Sequence, residues 1–126
     1  MNRLFAASML GVALLLAACT DEKPADSRPA PDDATRRACI SVAYVVERNN
    51  VFFALNLSVG RDTSAATDSE VSAGGRELLE AAQEAGELDV GSHGKADMTQ
   101  AEARIAVAQQ KLMTTCRELL GDPPWS

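Results

Sequence analysis

The chain has 126 residues, a length that fits one domain at most. Its 18 acidic side chains outnumber the 12 basic ones, which gives a formal net charge of −6 at pH 7. An acidic surface argues against nucleic acid or bare anionic lipid as the main partner, because both carry charge of the same sign. A small domain also buries a low fraction of its surface, so we expect a covalent staple.

The N-terminal segment has the composition of a secretory signal peptide. Arg3 is its only charged residue, and residues 6–18 form an unbroken run of 13 apolar or small side chains. A membrane-spanning helix needs about 20 apolar residues, so this run is too short to cross a bilayer. A positive start, a short apolar run and small residues at its end are typical of a signal peptide.

The run ends in Leu16-Ala17-Ala18-Cys19, which resembles the lipobox of bacterial lipoprotein precursors. The resemblance implies cleavage between Ala18 and Cys19 and acylation of Cys19 with fatty acids such as palmitate. Because Thr20 and not aspartate follows, it also implies sorting to the outer membrane, facing the periplasm. It concerns processing and implies no activity. An ordinary secretory cleavage site, or a buried helix with an incidental cysteine, is the alternative.

Residues 20–33 form a predicted tether. The segment contains three prolines, many charged side chains and no large apolar residue. It cannot bury enough surface to offset its ordering entropy. Extended by proline, its 14 residues reach on the order of 40 Å. We therefore divide the chain into a signal peptide at 1–18, an acylated cysteine and tether at 19–33, a helical domain at 34–121 and a tail at 122–126.

The clearest predicted helix runs from about Asp97 to Leu120. A capping box over residues 99–102 starts it, and Gly121 followed by two prolines ends it. Its apolar residues recur at three and four positions, which predicts a stripe facing a neighbouring helix. The stripe consists of Met98, Ala101, Ile105, Ala108, Leu112, Cys116 and Leu119.

A second helix is predicted from about Asp68 to Ala85, again after a capping box, at residues 67–70. Gly74 and Gly75 lie inside it, and each costs up to about 1 kcal/mol relative to alanine, so its first turns are expected to fray or bend. The connections are then loops at residues 60–66 and 87–95.

Residues 34–59 fit two structures. As a helix, the segment places Cys39, Ala43, Val46, Phe53 and Leu57 along one side. As strands, it alternates over 40–47 and 51–59, with Arg48-Asn49-Asn50 as the hairpin turn. We favour the helix, because nothing else in the chain resembles a strand and a lone hairpin is marginal. A break at Asn49-Asn50 gives a bundle of four helices, and its absence gives three.

With Cys19 assigned to lipid, Cys39 and Cys116 remain as a pair in an oxidising compartment and predict one disulfide. This bond places the start of the first helix beside the end of the last, as an up-down-up-down bundle does. A structural zinc site needs four ligands, and His93 is the only histidine, so we predict no metal and no cofactor.

Few residues suggest catalytic chemistry. His93 lies in a glycine-rich segment between Asp89 and Asp97, where a solvated histidine is the simplest interpretation. The carboxylates of the second helix share a surface that amphipathic spacing turns to water, which disfavours acid-base catalysis. They are Glu77, Glu80, Glu84 and Glu87.

The sequence therefore predicts a lipid-anchored envelope protein that is not an enzyme and binds an unidentified envelope protein. Trp125, the only tryptophan, either packs on the bundle or acts as a binding anchor, since tryptophan is frequent in binding hot spots. One alternative is an inhibitor or immunity protein of a periplasmic cell-wall hydrolase, whose basic cleft would attract an acidic partner. An alternative of another class is a carboxylate-based hydrolase.

Overall fold

The computed structural model describes residues 30–126, of which Pro31–Ser126 form a compact unit. The predicted signal peptide, lipidation site and most of the tether lie outside the described residues. This part of the chain contains four helices and no strand, namely α1 (Asp33–Glu47), α2 (Phe53–Ser64), α3 (Ser69–Gly91) and α4 (Thr99–Leu120). The all-α prediction is confirmed, and the alternative of a hairpin at 39–59 is wrong. None of these four helices combines the length and the apolar character needed to cross a bilayer.

The chain breaks at the predicted place, Asn49-Asn50, to separate α1 from α2. Asn49 has a φ of 49°, in the left-handed region that asparagine tolerates better than most residues. The backbone N–H of Asn50 donates to the carbonyl of Val45 at 2.9 Å, and that of Asn49 donates to Val46 at 3.1 Å. This pair of bonds is a Schellman motif, which satisfies the last carbonyls of a helix. The bundle therefore has four helices instead of three.

The end of α3 uses the same device. His93 and Gly94 have φ values of 55° and 74°, and their N–H groups donate to the carbonyls of Val90 and Asp89 at 3.1 and 2.8 Å. The helix ends only where His93 and Gly94 adopt the left-handed conformation. It therefore extends to Gly91, inside the segment 87–95 that we assigned to a loop. The predicted length of this helix was wrong at its C-terminal end.

Aspartates accept hydrogen bonds at the starts of α3 and α4, where we expected threonines to be the caps. Asp68 is the N-cap of α3, whereas Asp97 precedes Met98, the N-cap of α4, whose side chain makes no capping bond. Asp68 accepts two backbone N–H groups of the first turn of α3, each at 3.0 Å. Asp97 accepts the backbone N–H of Thr99 at 3.0 Å and its hydroxyl at 2.7 Å. These bonds, the hydroxyl first, hold the pKa of Asp97 below its ordinary value. The capping boxes predicted at Thr67 and Thr99 are wrong, because a carboxylate accepts N–H bonds more strongly than a hydroxyl.

The first helix begins inside the segment that we assigned to the tether. Asp33 is its first residue, and Asp32 caps it by accepting the N–H of Thr35 at 2.8 Å. Asp32 also accepts the hydroxyl of Thr67 at 2.6 Å, and these bonds, Thr67 first, lower the pKa of Asp32. The backbone N–H of Asp68 donates to the Thr35 hydroxyl at 3.2 Å. The start of α1 is thus fastened to the link between α2 and α3.

The four helices alternate in direction, and each packs mainly on its two neighbours in the ring α1, α2, α3, α4. Cys39 and Cys116 form the predicted disulfide between α1 and α4, with their Cα atoms 5.7 Å apart. Further along, Gln109 of α4 donates to the carbonyl of Asn50, just after α1. We name the end of the bundle where α1 begins the proximal end, and the end where α1 stops and α2 begins the distal end.

The core lies between the helices and includes the disulfide. Its largest fully buried apolar side chains are Val42, Val45, Val71, Leu78, Ile105, Leu112 and Met113. The stripe predicted on α4 is confirmed, since Ile105, Ala108, Leu112 and Cys116 are buried and Met98, Ala101 and Leu119 are partly buried against them.

Glycines bring α2 and α3 into close contact. A Cβ placed on Gly60 would lie 2.7 Å from the backbone of Leu79, and one on Gly75 would collide with the backbone of Thr63. Gly60 belongs to α2, although we expected it to begin a loop, because packing against α3 offsets its poor helix propensity. The expected fraying at Gly74 and Gly75 is also wrong, since α3 is continuous there.

Candidate functional site

The helix α2 fully buries a line of mostly small or polar side chains, and its larger apolar side chains pack only partly against the core. It buries Asn56, Val59, Gly60 and Thr63, which are small or polar. Phe53 and Leu57 are only partly buried, and Phe52, which precedes the helix, is 58% exposed. The rings of Phe52 and Phe53 contact each other, with centroids 4.9 Å apart. Arg61 and Asp62 are exposed on α2, so the exposed aromatic surface here is that of Phe52, at the start of the helix.

A buried polar network explains how α2 is held in this orientation. The side-chain N–H groups of Asn56 donate to the carbonyls of Asn50 at 3.0 Å and Phe52 at 2.9 Å. The amide nitrogen of Gln109 donates to the carbonyl of Asn50 and to Oδ1 of Asn56, both at 2.7 Å. Asn56 and Gln109 are 0% and 2% exposed. The network fixes the turn that carries Phe52 and thereby the outward side of α2.

An open groove of about 670 Å³ lies between α2 and α3. We call it the α2–α3 groove, and it is lined by Phe53, Leu57, Arg61, Gln83, Gly86, Glu87, Val90 and Gly91. Gly86 lets the Phe53 ring approach α3, since a Cβ there would lie 3.1 Å from that ring. Val90 is 71% exposed, which makes the groove apolar at the distal end of the bundle.

Charged side chains stand at the edges of this groove. Arg61 comes from α2, two turns after Phe53, and Glu87 comes from α3 close to Val90. Glu87 makes no ion pair with any other residue in the range 30–126. The groove therefore offers apolar surface together with a carboxylate that is available to a cation.

A second, smaller groove of about 230 Å³ lies between α1 and the C-terminal tail. We call it the α1–tail groove, and it is lined by Ile40, Ala43, Tyr44, Glu47, Arg48, Pro124 and Trp125. The indole N–H of Trp125 donates to the carbonyl of Gly121 at 3.0 Å, so the tail folds back on the bundle. The guanidinium of Arg48 lies 3.7 Å from the centre of the Tyr44 ring, in a cation–π arrangement.

The candidate acid-base residues do not converge. His93 is exposed and holds the left-handed position after α3, while Asp97 is occupied by Thr99. Asp89 lies in α3, where its backbone carbonyl takes part in the helix end. Across residues 30–126, no group of three or more His, Cys, Asp or Glu side chains is placed to hold a metal ion. These residues define the ends of helices.

The four glutamates of α3 that the sequence analysis considered for catalysis, Glu77, Glu80, Glu84 and Glu87, lie on the surface. Glu77 binds Lys111 at 2.7 Å, and Glu84 binds Arg104 at 3.1 Å, which links α3 to α4 in antiparallel register. Exposed ion pairs of this kind each contribute at most about 1 kcal/mol. Glu80 is exposed and, like Glu87, forms no ion pair with a residue that the structure describes.

The sequence analysis missed the α2–α3 groove. It placed Phe53 and Leu57 on the same side of a helix as Cys39, which is buried, whereas the break at Asn49-Asn50 rotates α2 independently of α1. One signal was present, because Asn56, Gly60 and Thr63 repeat at intervals of three and four positions, which aligns these small or polar residues on one side of the helix.

Comparison of the chain with protein-family models, with curated proteins and with solved structures gives no match.

Proposed function

We propose that this chain is a lipid-anchored protein of the bacterial envelope whose helical bundle binds another envelope protein through the α2–α3 groove. The observation that carries the proposal is the apolar lining of this groove, where Phe53 and Leu57 are only partly buried and Val90 is 71% exposed. Contiguous exposed apolar surface on a small soluble domain is typical of an interaction site.

The shape of the groove favours a helix as the bound segment. Two antiparallel helices form its walls, and a third helix with an apolar stripe fits such a groove by the same side-chain packing that builds the bundle. Glu87 at its edge favours a lysine or arginine beside that stripe, which agrees with the net charge of −6. The partner we propose therefore presents an amphipathic helix with a basic flank.

The position of the groove suits a domain on a tether. The chain enters the bundle at Asp32, at the proximal end, whereas Phe52 and Val90 lie at the distal end. With Cys19 acylated, the tether joins the bilayer to the end of the bundle that is farther from the groove. The attachment point of the tether therefore leaves the groove free for a partner in the aqueous compartment.

The anchor is tested by the intact mass of the protein extracted from membranes. We expect a mature chain that starts at Cys19 and carries the added mass of acyl chains, and we expect Cys19→Ala to abolish this modification. An unmodified N-terminus, or a chain that keeps residues 1–18, would contradict the lipoprotein part of the proposal.

The groove is tested by photo-crosslinking in cells, with the photoreactive residue placed at Leu57 or at Val90. A matched control is Val107, which is 61% exposed on α4 and lies away from the groove. We expect one adduct of constant mass from both groove positions and none from the control. In the Glu87→Lys background its yield should fall about tenfold, which corresponds to about 1.4 kcal/mol of binding free energy.

Equal labelling from all three positions, or an adduct insensitive to Glu87→Lys, would rule out a specific site in the groove. If the captured partner is a cell-wall hydrolase, the inhibitor hypothesis applies, and its activity should fall when the purified chain is added.

A further inference from the structure

We propose that the outer face of α1, together with Trp125, rests on the phospholipid headgroups of the bilayer that holds the chain. This inference builds on the lipid anchor of the proposed function and concerns a surface separate from the α2–α3 groove. Its occupant is the bilayer itself, bound through apolar and aromatic side chains at the level of the headgroups and through arginines at their phosphates.

The outer face of α1 carries a stripe suited to that interface. Arg37, Ile40, Tyr44 and Arg48 follow one another at three and four positions, so they share one side of the helix. Ile40 and Tyr44 are 37% and 50% exposed, whereas most of the other apolar side chains of α1 are buried in the core. The stripe thus combines apolar surface with an arginine near each end, and each arginine has a carboxylate, Asp33 or Glu47, close to it in the helix.

Trp125 extends the stripe into a patch. The bond from its indole N–H to Gly121 holds the tail against the bundle, and the ring lines the α1–tail groove with Ile40 and Tyr44. Tryptophan and tyrosine concentrate at membrane–water interfaces, because their rings are apolar at one edge and polar at the other. A tyrosine and the only tryptophan of this chain lie in one groove.

The local charge differs from that of the whole chain. With its two cap residues, α1 carries three arginines against three carboxylates, so it is neutral in a chain of net charge −6; they are Arg36, Arg37 and Arg48, and Asp32, Asp33 and Glu47. The planar guanidinium group is well suited to phosphate, whether the headgroup is anionic or zwitterionic. The acidic remainder of the bundle then favours an orientation with α1 towards the lipid.

Because the predicted tether keeps the domain near the bilayer, weak contacts between α1 and the lipid are sufficient to hold this face in place. The tether joins Cys19 directly to the start of α1, and its reach on the order of 40 Å keeps the domain close to the surface. A face confined to such a volume experiences a high effective concentration of lipid, so modest affinity keeps it bound. Because α2 and α3 contribute no residue to the α1–tail groove, the α2–α3 groove stays open to a partner.

The fluorescence of Trp125, the only tryptophan of the chain, provides the test of this inference. The acylated protein is extracted, its mass confirmed, and it is reconstituted into vesicles of phosphatidylethanolamine and phosphatidylglycerol with lipids brominated close to the headgroup. We expect the emission of Trp125 to shift to shorter wavelength and to be quenched by the brominated lipid. Ile40→Ser and Arg37→Glu should each lose most of the quenching, whereas Val107→Ser, which changes an exposed apolar residue elsewhere, should retain it.

The outcomes separate the two proposals. An unmodified Cys19 overturns the anchor and this inference together. An acylated, vesicle-bound protein whose Trp125 is not quenched overturns the docking face alone and leaves the anchor and the α2–α3 groove intact. Circular dichroism of each variant verifies the fold, and Arg37→Glu changes an exposed side chain that the core does not need. Quenching that survives both variants also overturns the inference.

Discussion

Two buried amides, those of Asn56 and Gln109, connect the core of this small bundle to its exposed surface. They form hydrogen bonds to each other and to the turn after α1, and they are almost completely buried. A buried polar group is costly unless it is paired, so the network specifies one orientation of α2. The exposure of Phe52, next to the turn that the network holds, therefore follows from polar contacts more than from burial of its ring.

This role predicts the effect of replacing Gln109. In Gln109→Leu, Oδ1 of Asn56 stays buried but loses the hydrogen bond that Gln109 donates to it. The free energy of unfolding should therefore fall by about 1–3 kcal/mol. The neighbouring Gln110 is exposed, so Gln110→Leu is a matched control and should change stability by less than about 0.5 kcal/mol. Urea denaturation followed by circular dichroism measures both, and equal midpoints for the two variants would show that the network is dispensable.

At the scale of the helix, the pair α2 and α3 is built on backbone contact. Gly60 and Gly75 let the two helices approach more closely than side chains allow, and the larger side chains of α2 lie at the edge of the core, where they are partly buried. The same close approach shapes the α2–α3 groove, because Gly86 accommodates the Phe53 ring. The glycines that seemed unfavourable for a helix in the sequence thus have a function in packing.

A pair of glycine substitutions tests this packing. Gly75→Ala places a methyl group against the backbone of Thr63 and should destabilise the protein by about 1–3 kcal/mol. Gly91 also lies in α3 but has open space around it, so Gly91→Ala should be neutral or stabilise by up to about 1 kcal/mol. Thermal unfolding of both variants provides the comparison. A Gly75→Ala protein as stable as the parent would refute the close contact.

On the scale of the whole molecule, the disulfide closes the ring of helices. Cys39 and Cys116 are fully buried, are separated by 77 positions and join the first helix to the last. In a chain with a thin core, this bond restricts the unfolded state and adds to the contacts between α1 and α4. The bond at the proximal end and the amide network at the distal end together hold α1 against α4.

Removing the bond should have a large effect. For Cys39→Ala/Cys116→Ala, we expect the free energy of unfolding to fall by on the order of 4 kcal/mol, the chain-entropy value for a loop of this length. Guanidinium denaturation of the variant, with the reduced and oxidised parent chain alongside, measures the loss. Coincident unfolding curves for oxidised and reduced protein would contradict this account of the stability.

The sequence by itself determined the features that depend on neighbouring residues and on covalent chemistry. The break at Asn49-Asn50, the stripe of α4 and the pairing of Cys39 with Cys116 were all predictable. Each rests on a signal within a few residues or on a count of cysteines. Backbone conformation and helical spacing act over that short range, so no knowledge of the other helices was needed.

Only the tertiary structure decided which side of α2 is buried, how far α3 extends and where Trp125 lies. The orientation of α2 depends on Gln109, 53 positions after Asn56, and on Gly75 of the adjacent helix. Burial is a property of the neighbours that a residue meets in space, and these are set by packing between distant segments. For that reason Phe53 and Leu57, which the sequence placed beside the buried Cys39, lie at the edge of the core and line the candidate interaction surface.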